Sequence, residues 1–258
     1  MDYEGFKQEI LKMSDIDLSL YKEKQMKRRI DSLIRKNGYD RYDDYVHALQ
    51  QDRELYNEFI NYLTINVSEF YRNPDQWEVL RDQIIPMLLQ RSPMPRVWSS
   101  ACSTGDEPYT LAMVLSEHMP LNRIHILASD IDAEALKKAK AGVYSAKSLE
   151  KLPERYIREF FIKDGNSYHV RDELKRCVEF KRINLLRDPY PNECDLIVCR
   201  NVLIYFTEEA KSQIYVKFNK ALKDKGVLFI GSTEQIIMSA RYKLTPVKTF
   251  FYIKDGDI

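Results

Sequence analysis

The sequence predicts an α/β protein: a mainly parallel, doubly wound sheet covered by helices, preceded by an all-helical N-terminal domain. Three observations lead there. After Pro95, strand-length apolar runs alternate with amphipathic helix-length segments, the pattern of successive β-α-β units. Before it, the first ~90 residues carry helical periodicity alone. A chain of 258 residues has room for one large domain and a small partner. The expected boundaries are an all-helical domain over 1–75, a linking helix over 76–95, and an α/β domain over 96–258 with an insert at about 145–183.

In the N-terminal part, Phe6, Ile10 and Met13 share one face of a first helix. A second runs from Tyr21 to Asn37 and is closed by Gly38, a residue free to take the left-handed cap conformation. Helices over 42–51 and 55–63 follow, the latter with Phe59, Ile60 and Leu63 inward. Pro74 to Gln90 is a further helix with Asn73 as N-cap and Pro74 at the first position. Ser92-Pro93-Met94-Pro95 then breaks the pattern.

In the α/β part, strands are expected over 96–100, 124–129, 194–199, 226–230 and 250–253, with helices over 107–119, 132–141 and 208–222. Residues 145–183 interrupt the alternation. A short helix near 153–160 leads into Phe161-Ile162-Lys163, a turn at Asp164-Gly165-Asn166-Ser167 and Tyr168-His169-Val170, which reads as a small β-hairpin insert.

Composition narrows the function classes. A net charge of +1 excludes a global polyanion trap. Only 8 glycines occur, so no site here depends on a run of them, and the first strand–helix turn lacks G-x-G-x-x-G. Four cysteines without a C-x-x-C pair and four scattered histidines predict neither a metal site nor a disulfide framework. No apolar run reaches the ~18–20 residues of a membrane span. Asp2, Glu4, Lys7, Glu9 and Lys12 deny the N-terminus a signal-peptide core, so a cytoplasmic protein is expected.

In a doubly wound sheet, ligands bind beyond the carboxyl ends of the strands where strand order reverses. The turn after the first strand, Ser99-Ser100-Ala101-Cys102-Ser103-Thr104-Gly105-Asp106-Glu107, is built of small residues that let a ligand approach the backbone. Glu107 would repel a pyrophosphate as much as a helix dipole attracts it, so a ligand with a cationic group fits better. Glu107 could equally serve only the helix dipole. Asp130, closing the second strand, suits a pair of ribose hydroxyls, while Asp132 is better explained as a helix N-cap.

Three stretches are more specific. Thr64-Ile65-Asn66-Val67-Ser68-Glu69-Phe70-Tyr71-Arg72, Ser103-Thr104-Gly105-Asp106-Glu107-Pro108-Tyr109 and Cys199-Arg200-Asn201-Val202-Leu203-Ile204-Tyr205-Phe206 each resemble the matching segment of the CheR family. These are S-adenosylmethionine-dependent methyltransferases that esterify glutamates of chemotaxis receptors. The resemblance covers almost the whole chain. In the first stretch Ser68 and Tyr71 stand where the family usually has Thr and Phe, keeping a hydroxyl and an aromatic ring. The resemblance implies a class I methyltransferase fold, S-adenosylmethionine as methyl donor with S-adenosylhomocysteine as product, and no metal. It implies that Asn66, Ser68 and Arg72 contact the cofactor, and that Glu107 and Asp130 hold its amino group and ribose. Asn184 and Leu185 would lie beside the adenine, Arg200 and Asn201 would line the floor, and Tyr205 would stand near the reacting methyl. Arg72 and Tyr205 are thus the candidate catalytic residues. Read alone, Arg72 could be a surface ion-pair residue, Tyr205 a core aromatic and Asn184 a turn residue.

The implied acceptor, a glutamate, is an anion at neutral pH and needs no general base. That agrees with the lack of a His- or Cys-based nucleophile constellation. Residues 22–36 carry seven basic side chains against two acidic ones. Such a helix is either a solvated face or a surface that steers toward an acidic partner, which the resemblance implies to be the cytoplasmic helical bundle of a transmembrane receptor. In some family members the β-insert also grips a receptor C-terminal peptide; the short hairpin here, with Gly165 alone, argues against that edge. Rival readings are a nucleic-acid methylase, a small-molecule carboxyl methylase and a non-enzymatic receptor-docking module. Against the first, Cys199-Arg200-Asn201 stands where a proline-paired motif is needed, and Asp188-Pro189-Tyr190-Pro191 precedes the strand.

Overall fold

The computed structural model describes residues 1–258. The chain forms two compact units: Met1–Asn66 with Val202–Gln213, and Val67–Asn201 with Ile214–Ile258. No helix is long and apolar enough to cross a membrane.

The first unit holds α1 (Tyr3–Ser14), α2 (Glu23–Lys36), α3 (Tyr42–Gln51) and α4 (Arg53–Thr64). Asp2 caps α1 by accepting from Gly5 N, and Asp52 caps α4 by accepting from Glu54 N and Leu55 N. Phe6, Ile10, Ile30, Tyr45 and Phe59 are fully buried and form its centre, while Met13 is only partly covered. The second helix starts two residues later than its apolar pattern suggests. Tyr21 instead pairs in a β-bridge with Phe206, their rings 5.0 Å apart. Gly38 does take the left-handed conformation, at φ +81°.

The second unit begins with α5 (Pro74–Val79), a π-helical turn over 80–84 and α6 (Ile85–Leu89). The sequence reads this as one helix; the π turn interrupts it. Asn73 stands at the N-cap position as expected but at φ +59° and without a side-chain capping bond; its Oδ1 accepts from Arg200 instead.

There follow β1 (Val97–Ser99), α7 (Asp106–Ser116), β2 (Ile126–Asp130), α8 (Ala133–Ala141), β3 (Val143–Ser145), α9 (Glu154–Phe160), β4 (Phe161–Asp164), β5 (Ser167–Val170), α10 (Asp172–Lys175), β6 (Val178–Arg182), β7 (Cys194–Cys199), α11 (Glu208–Ala221), β8 (Leu222–Ile230), β9 (Leu244–Lys248) and β10 (Phe251–Lys254). Seven strands form one sheet in the order β6-β2-β1-β7-β8-β10-β9. The first five are parallel; β10 and β9 are antiparallel additions at one edge. From β1 the chain winds outward through β2 to β6, then returns to place β7 on the other side of β1, so strand order reverses between β1 and β7. This is the doubly wound, class I methyltransferase arrangement.

Strands β1 and β7 are buried along their whole length, as parallel strands covered on both faces must be. Trp98 packs edge-on against Tyr190 and Phe218, and Trp77 against Phe229. The four cysteines are free and buried. The expected insert is a three-stranded antiparallel sheet, β3-β5-β4, with Gly165 in its hairpin turn. It is smaller at its C-terminal end than 145–183, because β6 pairs with β2 in the main sheet. Alternating burial in β6 concealed it from a search for apolar runs.

Candidate functional site

The carboxyl ends of β1 and β7 are pinned together. Ser100 donates to Val198 O through its backbone N (2.9 Å) and its hydroxyl (3.1 Å), and Cys102 N donates to Ser129 O on β2 (2.9 Å). The chain must then turn sharply into α7. Gly105 makes the turn at φ +94°, where a Cβ would stand 2.9 Å from both Ala139 Cβ and the Tyr144 hydroxyl. Only glycine meets both demands. Asp106 is 1% exposed; it accepts from Thr104 Oγ1 (2.6 Å) and from the Ser68 hydroxyl, and burial raises its pKa. Ser68 is thereby tied to this turn.

One turn of helix onset brings Glu107 beneath the loop. Ser99 Oγ donates to its Oε1 at 2.9 Å, and Arg200 Nη1 lies 3.7 Å from Oε2. Burial dominates its ionisation and pushes it up to about 7, against the pull of Arg200 and Arg72 and the Ser99 hydrogen bond, with Glu234 adding to the rise. A carboxyl in that state is poised to ionise when a cation arrives.

Arg200 forms the floor. Its Nη2 donates to Arg72 O (2.8 Å), Asn73 Oδ1 (3.1 Å) and Gln76 Oε1 (3.0 Å), and its guanidinium lies 5.2 Å from the Trp77 ring and 4.8 Å from the Phe229 ring. Its side chain is 2% exposed and its Nε has no partner. Asn201 follows at φ +60°.

Asp130, 8% exposed at the end of β2, accepts from Ser103 N (2.8 Å) on Oδ2 and from Asp132 N (3.0 Å) on Oδ1. Burial nevertheless pushes it up to about 6. Asp132 caps α8, as its position suggested. Ile183 N donates to Asp130 O, leading the chain into Asn184 and Leu185, which are 8% and 7% exposed. This loop is braced: Asn184 N donates to Asp188 Oδ2 (2.7 Å), while Tyr190 Oη (2.7 Å) and Lys217 Nζ (2.9 Å) both donate to Leu185 O. The Asp188-Pro189-Tyr190-Pro191 stretch is thus a brace for this loop.

Arg72 keeps a third of its side chain exposed and lies 3.9 Å from Glu69. The structure therefore gathers Ser68, Arg72, Glu107, Asp130, Asn184, Leu185, Arg200 and Asn201 in the second unit, around the ends of β1, β2 and β7. Asn66 and Tyr205 belong to the first unit. Asn66 Nδ2 donates to Asn61 Oδ1 and Thr64 Oγ1. Tyr205 is half-buried in a short 3₁₀ turn; its carbonyl accepts from Lys22 N (2.9 Å), and Thr207 N donates to Leu20 O (2.9 Å). Two residues of the floor escaped sequence reasoning. Ser99 had one signal, a polar residue ending a buried strand; Gln76 reads as an ordinary helix residue.

The donor set suits S-adenosylmethionine. Glu107 is a largely buried acid, its side chain 12% exposed, that suits a cation. A carboxylate offers about four acceptor sites, so Asp130 retains capacity for a hydroxyl beyond its backbone bonds. The glycine-only turn at 105, packed against Ala139 and Tyr144, fixes where Asp106 and Glu107 start α7.

Two family models match: one described as "CheR methyltransferase, all-alpha domain" over residues 1–64, the other as "CheR methyltransferase, SAM binding domain" over 66–251. The chain is 46% identical over 254 residues to a "Chemotaxis protein methyltransferase" of Listeria innocua, covering 98% of this chain and 97% of that one. It is 33% identical to the protein of that name in Borreliella burgdorferi, over 88% of each chain. With its Escherichia coli counterpart it shares 32% identity, covering 95% of this chain and 88% of that one.

Proposed function

The chain belongs to the CheR methyltransferase family, and on that premise we propose that it transfers a methyl group to glutamate side chains of transmembrane chemotaxis receptors, forming methyl esters in the cytoplasm. The observation that carries the reading is the pair of buried acids, Glu107 pushed up to about 7 and Asp130 to about 6, at the strand ends beside the topological switch.

S-adenosylmethionine, when bound, supplies an electrophilic methyl on a sulfonium sulfur. Glu107 would hold its ammonium and Asp130 its ribose hydroxyls, with Asn184 and Leu185 flanking the adenine. Arg200 keeps Glu107 and the 72–76 segment in register. Ser68 and Asn201 would complete the cofactor contacts of the second unit; the resemblance to the family implies that Asn66 contacts the cofactor as well and that Tyr205 stands near the reacting methyl. The acceptor glutamate has an unperturbed pKa of about 4.3 and arrives ionised. One carbon–oxygen bond forms as the carbon–sulfur bond breaks, and no proton need move. Catalysis is then alignment and water exclusion, for which effective molarity is worth roughly 7–11 kcal/mol in favourable cases. A tight clamp on the acceptor carboxylate would blunt its nucleophilicity. Arg72, partly exposed, serves better by positioning one carboxylate oxygen of cofactor or substrate.

The acceptor is drawn in by α2. Lys24, Arg28 and Arg35 are exposed on it and Lys22 just before it, while Lys27 pairs with Asp31, Lys36 with Glu58, and Arg29 donates to Tyr62 O. A field of this sign speeds encounter with an acidic helical surface.

The test is incubation of the purified chain with methyl-tritiated S-adenosylmethionine and a receptor cytoplasmic fragment. Label should appear on the fragment and leave as methanol on mild base treatment. Label that survives base, or that enters nucleic acid instead, overturns the reading.

A further inference from the structure

One buried acid near the site has no place in that scheme. Glu234, 5% exposed, lies in the loop that follows β8. A single oxygen, Oε2, accepts from Asn201 N at 2.6 Å and from Gly231 N at 2.9 Å. These two donors stand just past the carboxyl ends of the neighbouring parallel strands β7 and β8, where Cys199 pairs with Ile230. Gly231 is required by the same knot: a Cβ there would stand 2.5 Å from Glu234 Oε2 and 2.8 Å from Asn201 N. Asn201 is held at φ +60°, a conformation that asparagine adopts more readily than most residues but that still needs support. Directly before it comes Arg200, whose guanidinium organises the floor.

A knot of this kind needs an acceptor oxygen, not a charge. An amide would satisfy both N–H groups without the cost of burying an anion beside Glu107. The charge therefore calls for its own account. The groups acting on Glu107 are Arg200 after β7, Ser99 on β1, Arg72 before α5, and Glu234 after β8; the last is the one that opposes its ionisation.

We propose that Glu234 is a positioning residue of the methyl-transfer site: its carboxylate fixes the Arg200–Asn201 turn and, through it, the guanidinium that stands 3.7 Å from Glu107. This rests on the function proposed above. An empty pocket with Glu107 ionised would attract any small cation. Glu234 adds to the rise that burial imposes on Glu107, and the ammonium of a complete ligand offsets it.

The experiment measures S-adenosylhomocysteine affinity by calorimetry as a function of pH for the wild type, Glu234→Gln and Glu234→Ala, alongside melting temperature. Glu234→Gln keeps the acceptor and should melt like the wild type. Removing the negative charge lets Glu107 ionise more easily, so the midpoint of the affinity–pH curve should move to lower pH. Glu234→Ala strands two buried N–H groups and should bind about tenfold more weakly or worse. A folded Glu234→Ala that binds S-adenosylhomocysteine as tightly as the wild type overturns the proposal. A wild type that takes up no S-adenosylhomocysteine overturns the function proposed above as well, so the two failures are told apart.

Discussion

Arg200 stands 3.7 Å from Glu107, yet the carboxyl is pushed up to about 7. The guanidinium spends its Nη2 donors on Arg72 O, Asn73 and Gln76, and desolvation outweighs what its charge returns to Glu107. The pair is thus an incomplete salt bridge, held open for a third charge.

Cofactor binding should consequently depend on pH. An ammonium favours ionised Glu107, so affinity for S-adenosylhomocysteine should climb as pH rises toward about 7 and level off above it, with a proton released on binding below that point. Calorimetry in buffers of different ionisation enthalpy reads that proton directly; a flat profile would remove Glu107 from the ammonium site. The ligand-free protein should show the opposite trend. A carboxyl whose folded pKa lies above its unfolded value, about 4.3, helps folding most below that value and loses the contribution as pH rises through about 7.

Arg72 is expected to matter for turnover and not for folding. With a third of its side chain exposed and its ion pair to Glu69 3.9 Å long, its loss should shift the melting temperature by less than about 4 °C. Misplaced reacting groups should cost on the order of 100-fold in rate. Ordinary activity in purified Arg72→Ala would take this residue out of the site.

Arg200→Ala should behave in the opposite manner. It leaves Asn73 Oδ1 and Gln76 Oε1 without this donor, the Arg72 carbonyl with Trp77 Nε1 alone, and Glu107 without its nearest cation. Breaking a buried charged network in this way costs about 3–5 kcal/mol, or a melting point lower by about 10 °C. Thermal unfolding followed by circular dichroism measures it.

Gly105→Ala tests the turn into α7. The new Cβ meets Ala139 and Tyr144 in a backbone conformation that alanine avoids. We expect a loss of about 1–3 kcal/mol in stability and no detectable S-adenosylhomocysteine binding. Normal binding by this variant would mean that the turn is not a ligand cradle.

Salt separates the acceptor from the cofactor. Exposed charges on α2 are screened beyond about 8 Å at physiological ionic strength, whereas Glu107 and Asp130 are buried. Receptor methylation should therefore fall steeply with added salt while S-adenosylhomocysteine affinity changes little. Equal sensitivity of the two would discount steering by this helix.

The alternation after Pro95 made the sheet legible because β1, β2, β7 and β8 are buried on both faces and read as continuous apolar runs. β6 and β9 were not legible: each is an outermost strand with mixed burial. The acids at 107 and 130 stand out in sequence because they end or follow apolar runs. Gln76, Asn73 and Glu234 do not, since their partners are 124, 127 and 33 residues away and no local pattern announces a long-range hydrogen bond.

The tether between Leu20–Lys22 and Tyr205–Thr207 means that the backbone at Tyr205 is held by residues distant in sequence. Lys22 has φ −59° and the residue before it is extended, so a proline would be sterically welcome there. Such a replacement would erase one N–H donor without diverting the chain, and the tyrosine would lose a guy-rope anchored at the root of the basic helix. A change at the foot of that helix would thus reach the backbone at Tyr205 while leaving its own motif intact.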